Sequence, residues 1–215
     1  MHCPIINFIK TKINDIIRPV LSDRTIMKYN QKGLLFENPI SPEQLQPNSV
    51  DLTLGNTWKI LVPNIKSAPH FDGAAMIDSK SPIEYEEGLF THAVNGEYYY
   101  VIQPKQFVLM ASQEVLNIPN GIISFVQGRS SIARLAIQTE QAGLIDAGFH
   151  GTITFEVYNQ SDFPIILYKG TRVAQVYFFK AQKAAVEYGI SKGSKYNGQI
   201  KATGSRIHLD RENIQ

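Results

Sequence analysis

An all-β fold, a barrel or jelly roll of many short strands, is what this sequence predicts, on three observations. From Ser49 onward the chain falls into short alternating apolar and polar runs, with Gly, Pro and Asn between them. That spacing points away from βαβ units and their parallel sheets. The 215 residues, 43% of them apolar, suit one domain large enough to bury a core.

The elements follow in chain order. Cys3 to Leu21 places Ile5, Ile6, Phe8, Ile9, Ile13, Ile16, Ile17 and Val20 at mostly helical spacing. Lys10, Lys12 and Asp15 interrupt the run, so it lacks the unbroken apolar stretch of a secretory signal. Residues 1–20 are therefore expected as a helical extension that docks on the body or on a partner subunit; a role at a membrane surface is the alternative. Pro19 ends that segment, and Ser22-Asp23 caps a second short helix carrying Ile26, Met27 and Tyr29. Ser49 to Gly55 alternates as a strand and stops at the glycine. Trp58 to Val62, Tyr98 to Ile102, Phe107 to Ala111, Ile122 to Val126, Thr152 to Tyr158, Ile165 to Tyr168 and Val173 to Phe179 repeat the theme. Pro63 to Gly96, rich in Pro, Gly, Ser and acids, is expected to hold long loops. Residues 21–186 form the expected barrel domain. The tail from residue 187 has few apolar anchors beyond Ser191 and reads by itself as a mobile arm.

Composition excludes several functions. With 21 Lys+Arg against 19 Asp+Glu the net charge is only +2, too little for a dedicated nucleic-acid surface. The single cysteine, Cys3, allows no internal disulfide and no thiolate zinc site. His2, His70, His92, His150 and His208 are scattered without ligand spacing, so zinc is not expected. No apolar run approaches the roughly 18 residues of a membrane span. A soluble, cytoplasmic protein is expected. Tyr168-Lys169-Gly170-Thr171 lacks the earlier glycine of a phosphate loop, and no Gly-x-Ser-x-Gly elbow occurs.

Three segments are unusual. In Gly128-Arg129-Ser130-Ser131-Ile132-Ala133-Arg134, two hydroxyls beside an arginine at a helical turn could cradle an anion, although Ser-Ser at a turn is more often a helix cap. Ala142 to Gly151 frames Asp146 and Phe149 between glycine turns, which in a plain hairpin would be a turn aspartate and a core aromatic. In Thr152 to Asn159, Ile153, Phe155 and Val157 share one strand face, and Thr154, Glu156 and Tyr158 share the other. A lone glutamate there is ordinarily solvated.

Together, and in this order, the segments resemble the dCTP deaminase branch of the dUTPase-like superfamily. The resemblance runs from Leu21 to Leu209 and includes Leu21-Ser22-Asp23, Ser49 to Gly55, Lys195 to Gln199, and Ser205-Arg206-Ile207. It implies a distorted β-barrel with a few short helices, a homotrimer with active sites at subunit interfaces, and zinc-free hydrolytic deamination, cutting a cyclic amidine C–N bond. Dwelling on roles, it makes Glu156 the general base and acid at cytosine C4, with Arg134 orienting it. Ser130 and the Ala142 carbonyl would place the water. Arg129 and Ser131 would contact the triphosphate, Asp146 the 3′-hydroxyl, and Phe149 the sugar. Tyr188, Lys195 and Gln199 fall in an arm, residues 187–215, that closes over the active site. Magnesium is expected on the substrate phosphates and not on a protein site. The partners expected are dCTP and dUTP, with no nucleic acid and no membrane.

The subtype signals conflict. Glu156 favours deamination, and Ala133 matches enzymes that stop at dUTP. The short hairpin from Arg134 to Asp146 and the pair Ala142-Gly143 resemble dUTPases and bifunctional enzymes that continue to dUMP, while Gln141 replaces a usual threonine. The expected reaction is dCTP to dUTP and ammonia; the alternatives are a bifunctional enzyme giving dUMP and diphosphate, a plain dUTPase, or a nucleotide sensor without turnover.

Overall fold

The computed structural model describes residues 19–62, 77–140, 143–190 and 193–210. The extension before residue 19, residues 63–76, Ala142 and the last five residues lie outside them. The strands are β1 Leu35–Phe36, β2 Val50–Leu61, β3 Tyr85–Leu89, β4 Thr91–His92, β5 Tyr98–Ile102, β6 Phe107–Asn117, β7 Ile122–Gly128, β8 Ile137–Glu140, β9 Leu144–Ile145, β10 His150–Asn159, β11 Ile165–Tyr168 and β12 Arg172–Lys180. Nine of them make a sheet along the path β8-β10-β6-β2-β12-β7-β9, with β1 added on β6 and β3 on β2. β11-β5-β4 form a second, three-stranded sheet. The large sheet curls until Gly128 of β7 packs against Thr139 of β8, its far edge strand. The predicted all-β, distorted barrel is what forms.

Alternation builds the core. Phe155 and Val157 of β10 are buried beside Met110 of β6, Leu52 and Leu54 of β2, and Phe178 of β12. Phe36 meets Phe178 edge to face at 5.7 Å. The helix Asp23–Asn30 begins after Ser22, as the sequence predicts, and buries Ile26 completely. Ser22 takes the N-cap position through its backbone; its hydroxyl makes no cap bond.

Two strand expectations are corrected. The predicted stop at Gly55 does not occur, and β2 continues as one 12-residue strand. There the carbonyls of Ala111 and Ser112 in β6 come to within 3.3 Å of where a side chain would begin, so glycine admits the close approach. The ladder shifts register between Leu54 and Trp58, which hides the continuity from a period-two pattern. The expected loops between Pro63 and Gly96 include β3 and β4; the consecutive Glu86 and Glu87, both exposed on a sheet margin, mask the strand.

The tail also differs from a mobile arm. Residues 198 and 199 join β10 by main-chain bonds: Gly198 N donates to His150 O at 2.7 Å, and Thr152 N to Gln199 O at 2.8 Å. Ala202 is its buried apolar anchor, packed with Leu109 and Ala111. Hydrogen bonds hold the arm where apolar side chains are lacking.

Candidate active site

The β10 strand positions the central carboxylate. A register shift against β6 between Thr152 and Thr154 puts a bulge three residues before Glu156, and Ile153 N, freed from the ladder, donates to Ser112 Oγ at 2.8 Å. Glu156 then lies half-buried, opposite Leu109 on β6 and Glu140 on β8. Its neighbours on the strand, Phe155 and Val157, are locked in the core, so the backbone that carries it is rigid.

The turn after β9 supplies Asp146. Phe149 N donates to Asp146 O at 3.2 Å, and Gly148 N to Ile118 O at 2.9 Å, which ties the turn to the end of β6. Asp146 is thereby presented on the surface while Phe149 turns inward. Phe149 meets the Tyr188 ring at 6.0 Å, and Tyr188 N donates to Ala147 O at 2.9 Å.

These residues surround one cavity of about 500 Å³, a volume suited to a nucleotide. Asp146, Phe149, Glu156, Tyr188 and Gln199, all picked from the sequence, line it. Gln199 is fixed by its Nε2, which donates to Thr152 O at 2.6 Å, and its Oε1 is buried without a hydrogen bond. An unpaired buried acceptor on a cavity wall is suited to a ligand's donor. Sequence reading missed Tyr196, Thr154, Thr203 and Tyr85 on the wall. Thr154 had a signal, since it shares the Glu156 face, and Tyr196 stands inside a quoted motif. Tyr85 had none, lying in a stretch read as loop.

The remaining candidates sit elsewhere on the chain. Ser130 to Ala133 form a single helical turn whose N-cap is Arg129, and its backbone carbonyl accepts from Ile132 N and Ala133 N. Neither serine is the N-cap residue, and both are exposed. Arg129 Nε forms an ion pair with Asp51 Oδ1 at 3.3 Å, and Arg172 donates to Asp51 Oδ2 at 3.2 Å. One carboxylate with its side chain 2% exposed thus holds two guanidinium groups in place. Arg134 is exposed and precedes the end of β8 that pairs with Asn159. At about 3.3 Å per residue, that end is some 10 Å along the sheet from Glu156. Neither Ser130 nor Arg134 is among the residues that line the cavity with Glu156.

Lys195 is not on the cavity wall. Its Nζ donates to Asp210 Oδ1 at 2.7 Å and lies 5.9 Å from the Tyr196 ring centre. The hydrogen bond to the Asp210 carboxylate raises the lysine pKa, with the carboxylate's charge adding to it, against a smaller opposing effect of burial. Among the described residues, no Lys, Arg or His lines the cavity. Nor do three His, Cys, Asp or Glu side chains converge on a metal-sized position among them. No helix among them is long and apolar enough to cross a membrane.

Residues 20–181 match the dCTP deaminase-like family. The chain is 40% identical over 193 residues to the "dCTP deaminase, dUMP-forming" of Sulfurihydrogenibium sp., covering 90% of this chain and 99% of that one. It is 36% identical over 193 residues to the protein of the same name from Aquifex aeolicus, covering 90% and 97%. Among solved structures it resembles 2'-deoxycytidine 5'-triphosphate deaminase from Agrobacterium tumefaciens, with a TM-score of 0.56 at 23% identity. That likeness covers 76% of this chain and spans about half, 48%, of the other, and speaks for the fold.

Proposed function

The chain belongs to the dCTP deaminase-like family, and on that premise we propose that it hydrolyses dCTP twice, giving dUMP, ammonia and diphosphate. The sequence alone favours release of dUTP. The relatives' dUMP-forming names support the bifunctional alternative instead, in line with Ala142-Gly143 and the short hairpin. The observation that carries the reading is that Asp146 and Glu156 open on the same cavity. Two carboxylates in different surroundings can serve two separate waters.

In the first step Glu156 takes a proton from water as the water oxygen bonds to C4 of cytosine. It passes that proton to the ring nitrogen, then takes the second from the new C4 hydroxyl and gives it to the amine, so that the C4 carbonyl forms as the C–N bond breaks and ammonia leaves. In the second, Asp146 takes a proton from a water that attacks the α-phosphorus, and the bond to diphosphate breaks. Phe149 and Tyr188 wall the sugar and base, and the buried Gln199 Oε1 accepts from a base or sugar donor.

Charge decides where the phosphates are held. A triphosphate beside two carboxylates, in a cavity whose described walls carry no cation, is repelled by about 1 kcal/mol per charge pair at 4 Å even at the dielectric of water. A second copy of the chain therefore supplies Arg129, Ser130, Ser131 and Arg134, the exposed turn that its own cavity does not use. Closing this way three times gives the homotrimer expected from the family. Mixed assemblies test the sharing: Glu156→Gln and Arg134→Ala chains, each inactive alone, should regain part of the dCTP turnover when co-expressed and co-purified through different tags. No recovery would place each site within one chain.

Magnesium fits as a substrate-borne ion. The described residues offer no closed ligand set, while the exposed Asp146 carboxylate could accept from its coordinated water. When bound, the ion would neutralise phosphate charge.

The reading is tested by incubating the protein with dCTP, and separately with dUTP, and separating the products. It expects ammonia, dUMP and diphosphate from dCTP. Ammonia with accumulating dUTP would restore the monofunctional reading, and turnover of dUTP alone would remove the deaminase.

A further inference from the structure

The arm segment that crosses the cavity is held in an unusual way. Three main-chain amides in the space of four residues donate to side-chain oxygens on three different strands. Ala202 N donates to Thr57 Oγ1 on β2 at 3.1 Å, and Thr203 N to Thr154 Oγ1 on β10 at 3.1 Å. Ser205 N donates to the Tyr85 hydroxyl on β3 at 2.8 Å, the shortest of the three. Upstream, residues 198 and 199 are bonded to β10 by main-chain groups, with the bridge between Gly151 and Gln199. The arm thus has a laddered half and a strapped half.

Tyr85 also makes the tightest packing contact of the strapped half. A Cβ on Gly204 would stand 2.2 Å from Tyr85 Cε2, so the phenol ring occupies the space that a side chain at position 204 would need. Both residues line the cavity. Tyr85 opens β3, a strand attached to the sheet through β2 alone, and stands opposite Leu61 at the end of β2. Burial raises the Tyr85 pKa, outweighing the hydrogen bond from Ser205, so the phenol stays protonated.

We propose that Tyr85 is the latch of the arm: its ring against Gly204 and its hydroxyl on Ser205 N hold residues 202–205 shut across the cavity, while the ladder at 198–199 serves as the hinge side. Tyr85 is a positioning residue for nucleotide retention, acting through the arm. The idea deepens the proposed nucleotide site and rests on it for its kinetic readout only. Opening needs the loss of a few hydrogen bonds and one small apolar contact, which places this segment at the low-stability end of the structure.

Lys201 and Arg206, both exposed, flank the latch and are trypsin sites. Tyr85→Phe keeps the ring and removes the acceptor. It should speed tryptic cleavage at these two residues about fivefold, the worth of one neutral hydrogen bond. The KM for dCTP should rise by a similar factor, with a smaller change in kcat and an unchanged Tm. Gly204→Ala keeps the hydroxyl but displaces the ring, and should produce the same pair of changes. Cleavage at the native rate in both variants would overturn the latch, as would faster cleavage that merely follows a fall in Tm. If the native protein leaves dCTP untouched, the nucleotide reading fails, and the proteolysis still decides the latch.

Discussion

Glu156→Gln is expected to release no detectable ammonia from dCTP while still binding the nucleotide. The amide keeps the shape and half-buried position of the side chain between β6 and β8, but it cannot accept a proton from the attacking water. Loss of a general base costs about 10²–10⁴ in rate, and here the same group also protonates the leaving amine, so the upper end applies. Calorimetric titration with dCTP should give an affinity close to that of the native protein. Ammonia release at the native rate would remove Glu156 from the chemistry. The variant should still cleave dUTP to dUMP, because that step is assigned to another carboxylate.

Asp146→Asn should give the complementary outcome: ammonia continues and dUTP accumulates in place of dUMP. Asp146 sits at the surface end of its turn, whose backbone is held by the Gly148 and Phe149 amides and not by its own carboxylate. The amide should therefore leave the fold and the cavity wall in place. Cleavage at the α-phosphorus is expected to fall about 10²–10⁴-fold if the carboxylate activates the water. Chromatography of the products from dCTP checks this, and dUMP forming at the native rate would show that Asp146 is not the base. The two variants together separate the hydrolyses that a single pocket combines.

Much of this was legible in the residues, and the exceptions have physical causes. β5 and β11 run between the residues the alternation predicts, Tyr98–Ile102 and Ile165–Tyr168. β2 was not readable as one strand, because a register shift breaks the period and a glycine in its middle looks like an end. The strand carrying Glu156 was visible because Ile153, Phe155 and Val157 alternate as an apolar run on one face. The arm was misread as loosely attached because its anchoring comes from amides bonded to Thr57, Thr154, Tyr85 and β10, and amide partners leave no trace in hydropathy. Likewise, nothing in the sequence pairs Arg129 with Asp51, which meet only because β7 and β2 both flank β12. The near balance of 21 Lys+Arg against 19 Asp+Glu also gains a meaning: a small anion needs only a few local cations, and Arg129 and Arg134 stand at the two ends of one helical turn.

Isotope labelling tests the double hydrolysis most directly. dCTP is turned over in water enriched in heavy oxygen, and the products are weighed by mass spectrometry with fragmentation. The account predicts dUMP with one labelled oxygen on the base, at C4, and one on its phosphate, together with unlabelled diphosphate. Label on the base alone, with the triphosphate intact, would contradict it, as would label carried away in the diphosphate.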